Sequence, residues 1–224
     1  MRFLLVLALL SQAAAADLQK DLTFRARFDG STDAQVALGD RRIYTARSYQ
    51  EQASAQPGLH TPGVEFVSGK GLNGSGALHF KKKNSQAVFY RAEKNVAFDA
   101  GRWTGTVSFW LSLDPDQDLE PGYCDPLQLT DKAYNDSAVW VDFTKDDKPR
   151  HFRLGVFGAL ASWNPQNVPP DQNPAFQKRL VVVKQPPFAR GKWTNVAITF
   201  SGLGSNGTAR LYLDGKPQGS AAAI

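Results

Sequence analysis

The sequence predicts an all-β protein, an antiparallel sandwich or barrel, and three observations carry that prediction. The first is the segment 192–216. Val196, Ile198 and Phe200 alternate there with Asn195, Ala197 and Thr199, the period-two pattern of a strand with one face in a core. Ala209, Leu211 and Leu213 alternate in the same way with Arg210 and Tyr212. The second observation is a series of short runs rich in Val, Phe, Leu, Tyr and Trp, each bounded by turn residues. The third is that nothing between them sustains a helical period, so the strands follow one another directly.

The elements fall in this order. Residues 1–16, MRFLLVLALLSQAAAA, join a basic residue, an apolar run and small residues suited to cleavage, which reads as a secretory signal peptide. The apolar run is too short to span a bilayer, so the mature chain from residue 17 is expected to hold no membrane span. In 22–28, Leu22, Phe24, Ala26 and Phe28 share one face of a first strand. From 29 to 76 the pattern weakens into loops with short strands at 42–46 and 64–68. Further strands are expected at 77–81, 87–92, 105–113, 138–144, 152–157 and 180–185, ahead of the two in 192–216. Asp214-Gly215 suits the positive φ angles of a type I′ turn, so one more strand should begin at Lys216.

Composition sets the scale. A chain of 224 residues, 42% hydrophobic and 21% charged, can bury one substantial core, and 17–224 reads as one domain. The net charge of +5 becomes about +4 once Arg2 leaves with the signal. Lys81-Lys82-Lys83 is the one tight basic cluster and suits a turn or edge, so no nucleic-acid partner is expected. Cys124 is the sole cysteine; no intrachain disulfide can form, and its simplest role is that of a small buried hydrophobe.

The order of parts resembles the laminin G-like, concanavalin A-like jelly roll, in the form found as single modules in exported bacterial proteins. Phe28-Asp29-Gly30 closes the opening strand, and 74–80 (GSGALHF) and 106–111 (TVSFWL) follow. Next come 191–197 (GKWTNVA) and 211–215 (LYLDG), so the resemblance covers nearly all of the mature chain. It implies two curved antiparallel sheets packed face to face, with loops and the concave sheet open to ligands. Members of that family continue past the LYLDG hairpin into two more strands. The last of these pairs beside the first strand and often supplies an acidic ligand to calcium. A sequence ending at Ile224 therefore reads as lacking its last strands, which would leave strand 22–28 without a neighbour, and calcium stays a possible cofactor.

Most chemical motifs dissolve on inspection. Gly69, Gly71 and Gly74 satisfy G-x-G-x-x-G, but a strand follows them where the dinucleotide fingerprint needs a helix. His60, His79 and His151 lack zinc spacing, and His79 reads as a structural strand residue. In the acidic run Asp114, Asp116, Asp118 and Glu120, the alternation of Asp116, Asp118 and Glu120 imitates the carboxylates of glycosidases on related jelly rolls. Prolines at both ends of that run mark a loop, so a solvated acidic loop, a calcium site and catalytic carboxylates all remain readings of it. Asn73, Asn135 and Asn206 head N-glycosylation sequons that read equally as turns.

Aromatic and amide residues concentrate between 134 and 163. Alternation assigns Trp110, Trp140 and Asp142 to the face away from the inter-sheet core, and Tyr134, Asn135, Arg153, Trp163 and Asn164 supply further groups of a carbohydrate cleft. The competing role for these tryptophans is to cover the back of a sheet against long loops. The expected function is a secreted, non-catalytic recognition module for a polysaccharide or cell-surface glycan. The alternatives are a protein-binding adhesion or assembly module and a glycoside hydrolase.

Overall fold

The computed structural model describes residues 18–204 and 206–222, so the signal peptide expected over 1–16 lies outside the described residues. These residues gather into two compact units where the sequence reads as one domain. The first comprises the described residues up to Phe80 together with Asn84–Ala97; the second comprises Lys81–Lys83 and the described residues from Phe98 onward.

The first unit holds seven short strands: β1 (Phe24–Arg25), β2 (Val36–Ala37), β3 (Ile43–Ala46), β4 (Gln56–Pro57), β5 (Val64–Val67), β6 (Ala77–Phe80) and β7 (Ala87–Tyr90). They form the sheets β1-β2, β4-β3-β7 and β5-β6. The strand expected over 22–28 is shorter than its alternation suggested: Arg27 N donates to the Gln35 side chain rather than to a backbone carbonyl, and Phe28 then takes φ 60°. It also has a neighbour, contrary to expectation, with Phe24 opposite Ala37 and Arg25 opposite Val36. The glycines at 69–74 connect the antiparallel pair β5 and β6, and Asn73 takes φ 54° in that turn. His79 is an exposed residue whose Nδ1 lies 3.0 Å from Glu65 Oε1. Asn95 is buried and serves as a clamp: its amide accepts from Gly39 N and donates to the carbonyls of Asp40 and Arg91, each at 2.8 Å.

The second unit is an antiparallel sandwich. Its strands are β8 (Trp103–Leu111), β9 (Cys124–Leu129), β10 (Ala138–Phe143), β11 (Phe152–Phe157), β12 (Leu180–Val183), β13 (Thr194–Leu203), β14 (Thr208–Leu213) and β15 (Lys216–Ala222). One sheet has the order β12-β11-β10-β9 and the other β15-β14-β13-β8. Val141, Phe143, Phe152, Leu154 and Val156 of the first sheet are buried, as are Val196, Ile198, Leu211 and Leu213 of the second. Each such side chain contributes roughly 1.5–3 kcal/mol of transfer free energy. Phe188 seals one end, its ring centroid 5.2 Å from that of Phe143 and 4.9 Å from that of Phe152. The sheets touch where a Cβ added to Gly219 on β15 would come within 2.9 Å of Val181 on β12.

The turn at 214–215 forms as its residues require. Asp214 and Gly215 take φ 48° and 74°, Asp214 Oδ1 accepts from Asn195 N at 2.8 Å, and β15 starts at Lys216. Between β11 and β12 run two one-turn helices, α1 (Leu160–Trp163) and α2 (Pro174–Gln177). α2 starts where Asn173 Oδ1 accepts from Ala175 N at 2.9 Å and Pro174 occupies the first turn. Both lie over the outer face of the β9–β12 sheet, because Phe176 and Trp163 pack with Trp140 and Phe157.

Candidate functional site

The outer face of the β9–β12 sheet gathers most of the residues that the sequence singled out. Register sets two rows across it. Asp142 pairs with Arg153, which pairs with Val182; Trp140 lies between Gln128 and Gly155, which pairs with Leu180. Directly opposite residues of an antiparallel pair share a face, so these side chains are neighbours by construction.

Asp142 and Arg153 form a bidentate ion pair. Arg153 Nε donates to Asp142 Oδ1 at 2.8 Å and an Nη2 hydrogen to Oδ2. Burial pushes the Asp142 carboxyl up against the pull of the guanidinium. The same guanidinium lies 5.0 Å from the ring centroid of Tyr123 and 5.6 Å from that of Trp140.

Trp140 forms the floor. It is 3% exposed, too buried for a ligand to stack on, and lies flat over Gly155, where a Cβ would run into its indole. Its Nε1–H donates to Tyr134 O at 2.7 Å, and that of Trp163 donates to Asn135 O at 3.0 Å. Asn164 is buried and joined to Val168 through both ends of its amide. Trp140, Trp163, Asn135 and Asn164 thus hold the loops that shape the face, while the Tyr134 ring, 45% exposed, is presented to solvent.

Trp110 is a correction. It is 47% exposed on β8, in the other sheet, opposite Asn195, so it cannot share a face with Trp140 and Asp142. Alternation places a residue on one side of its own sheet without saying which sheet that is.

The sequence reading missed Tyr123 and Asp125. Tyr123 is 46% exposed, with Lys145 Nζ 5.8 Å from its ring centroid. Asp125 is pushed up to about 6 by burial and then by Asp142, with smaller opposing pulls from Arg153 and Lys83. β9, which carries it, contains Pro126 and so reads as a loop; as an edge strand bonded only to β10 it tolerates a residue without an N–H.

The acidic run 114–120 is a loop whose carboxylates are occupied locally. Asp114 Oδ1 accepts from the amides of Asp116 and Gln117, Asp118 is paired with Arg190, and Glu120 accepts from Lys83 N. Asp116 accepts from Arg150 N. The buried Arg150 guanidinium donates to the carbonyls of Leu119, Glu120, Gly122 and Thr144. Among the described residues, no group of three or more His, Cys, Asp or Glu side chains is placed to hold a metal ion. Cys124 is half-buried, and burial pushes its thiol up.

The laminin G-type family model described as the concanavalin A-like lectin/glucanases superfamily matches residues 92–223. The chain belongs to that superfamily. The matched stretch contains both sheets of the concanavalin A-like sandwich and every residue of the face just described. No curated protein and no solved structure matches the chain. Among the described residues of this concanavalin A-like protein, no helix is long and apolar enough to cross a membrane.

Proposed function

We propose that the protein is an exported, non-catalytic recognition module that binds a polysaccharide or cell-surface glycan on the outer face of its β9–β12 sheet. The observation that carries this reading is the pair of half-exposed rings, Tyr123 and Tyr134, beside the buried Asp142–Arg153 pair. Aromatic rings offer stacking surface to the C–H faces of a pyranose, and fixed carboxylate and guanidinium groups take its hydroxyls. Membership of a lectin and glucanase superfamily supports the carbohydrate class without specifying the sugar.

The hydrolase reading has less support. A retaining mechanism needs a carboxylate nucleophile beside a carboxylic acid, and of the two carboxyls on this face, Asp125 and Asp142, the second has both oxygens engaged by Arg153. A protein partner would need an apolar patch, and the exposed rings here stand among charges.

A glycan array with and without added calcium tests the proposal. Saturable binding is expected, lost in Tyr123→Ala or Tyr134→Ala and unchanged in Trp110→Ala. Absence of binding to every glycan, in calcium or in chelator, rejects the reading. Reducing-sugar release from a bound polysaccharide would replace it with the enzyme.

A further inference from the structure

We propose that Asp125 is the specificity-determining residue of this face, and that it makes the face a site for uncharged sugars that excludes uronic acids and sulfated sugars. The proposal rests on the reading of the sheet as a carbohydrate site. It concerns a residue that sequence patterning passes over.

Geometry brings Asp125 to the face. Leu127 pairs with Val141 and Cys124 with Phe143, so two residues of β9, Asp125 and Pro126, oppose the single residue Asp142. That is a bulge, a device that bends an edge strand and re-aims a side chain. Cys124 and Leu127 sit opposite inward-facing residues, and alternation from Cys124 turns Asp125 outward, to the side of Asp142 and Arg153.

The chemistry follows from what faces it. Asp125 keeps part of its surface open to solvent while packing at the bulge desolvates its carboxyl, and it has no hydrogen-bond or ion-pair partner among the described residues, so its oxygens are available to accept from sugar hydroxyls. Arg153 is the cation that a ligand carboxylate or sulfate would seek. Its Nε and Nη2 are already committed to Asp142 in the bidentate geometry that anions prefer. Lys83 is the remaining cation that acts on Asp125, and its pull is the weakest of the charges there; Lys145, over the Tyr123 ring, is paired with Asp146 at 3.4 Å. A ligand anion on this face would stand beside two carboxylates, where burial first and the Asp142 charge second already hold the Asp125 proton to about pH 6. A sugar hydroxyl meets no such opposition.

The exclusion therefore depends on pH in a particular way. A uronate keeps its charge down to roughly pH 3.5, the ordinary range of such carboxyls. Asp125 loses its charge near pH 6. Between those values the ligand stays anionic while the residue that repels it is neutral.

Matched neutral and uronate oligosaccharides of gluco, galacto and manno configuration, titrated calorimetrically against the full chain at pH 7.5 and pH 5, test this. At pH 7.5 the wild type is expected to bind a neutral member at least tenfold more tightly than its uronate partner. The ratio should shrink several-fold at pH 5. Asp125→Asn should show the smaller ratio at both pH values, with its melting curve confirming that it folds. A merely structural Asp125 would not move that ratio. Equal wild-type affinity for a neutral sugar and its uronate at pH 7.5, or a ratio that does not change with pH, overturns the proposal and leaves the carbohydrate reading standing. No binding to either class overturns both.

Discussion

The indole of Trp140 donates to the carbonyl oxygen of Tyr134 at 2.7 Å, so a buried ring in the floor of the sheet fixes the loop that displays an exposed one. Trp163 holds the next carbonyl, that of Asn135, in the same manner at 3.0 Å. Trp140→Phe keeps an aromatic ring and removes the donor. An unsatisfied carbonyl costs about 1–3 kcal/mol, so a lower denaturation midpoint is expected together with weaker glycan binding through a loosened Tyr134. A midpoint and affinity equal to wild type would show that the bond positions nothing.

Gly155→Ala is expected to be more damaging than its size suggests. The added methyl has no room beneath the Trp140 indole, which is itself stacked on Phe157 at 5.9 Å between centroids. Overpacking of this kind costs about 1–3 kcal/mol. Chemical denaturation and the near-ultraviolet signal of tryptophan report the displacement, and the double change Gly155→Ala with Trp140→Leu should recover part of the loss.

Arg150 organises the acidic loop from within, since its guanidinium reaches four carbonyl oxygens while only 5% of the residue is exposed. Arg150→Lys keeps the charge but lacks the planar fork that reaches them all. A loss of about 3 kcal/mol or more is expected in urea unfolding, as several carbonyls lose a charged donor together. Proteolysis should then cut within 116–122.

Stability should also carry the signature of Asp125. Its folded-state pKa of about 6 lies above the ordinary Asp value near 3.9, so the folded chain binds more protons between those limits. The contribution is fully present below about pH 4 and lost as pH rises through 6. Asp40 and Asp118 act in the opposite sense. The hydrogen bonds of Arg42 and Tyr44 hold Asp40 well below the usual range, and Arg190 holds Asp118 down, so their contributions are lost on acidification. Melting temperature against pH for wild type minus Asp125→Asn isolates the first effect; a flat difference from pH 4 to 7 would contradict it.

The strands of the second unit were legible wherever their alternation was unbroken, as in β13, β14 and the Asp214-Gly215 turn. β9 was not legible, because Pro126 signals a loop and only the edge position of the strand makes it acceptable. Helices α1 and α2 are single turns, too short to display a period. The site divides along the same line. Tyr134, Asp142 and Arg153 lie on or beside regular strands and were named, whereas Tyr123 and Asp125 sit at the irregular edge and were passed over. Trp110 was grouped with Trp140 and Asp142 because a strand pattern carries no information about which sheet the strand joins.

The bulge in β9 has a dynamic consequence. Arg153 and Trp140 belong to interior strands bonded on both sides, while Tyr123 and Asp125 sit at or beside a strand with one bonded neighbour and a proline in its run. Amides of β9 should therefore exchange with solvent through local opening, well before those of β10 and β11. One edge of the face is then expected to fray and re-form on its own clock while the hydrophobic interior stays shut.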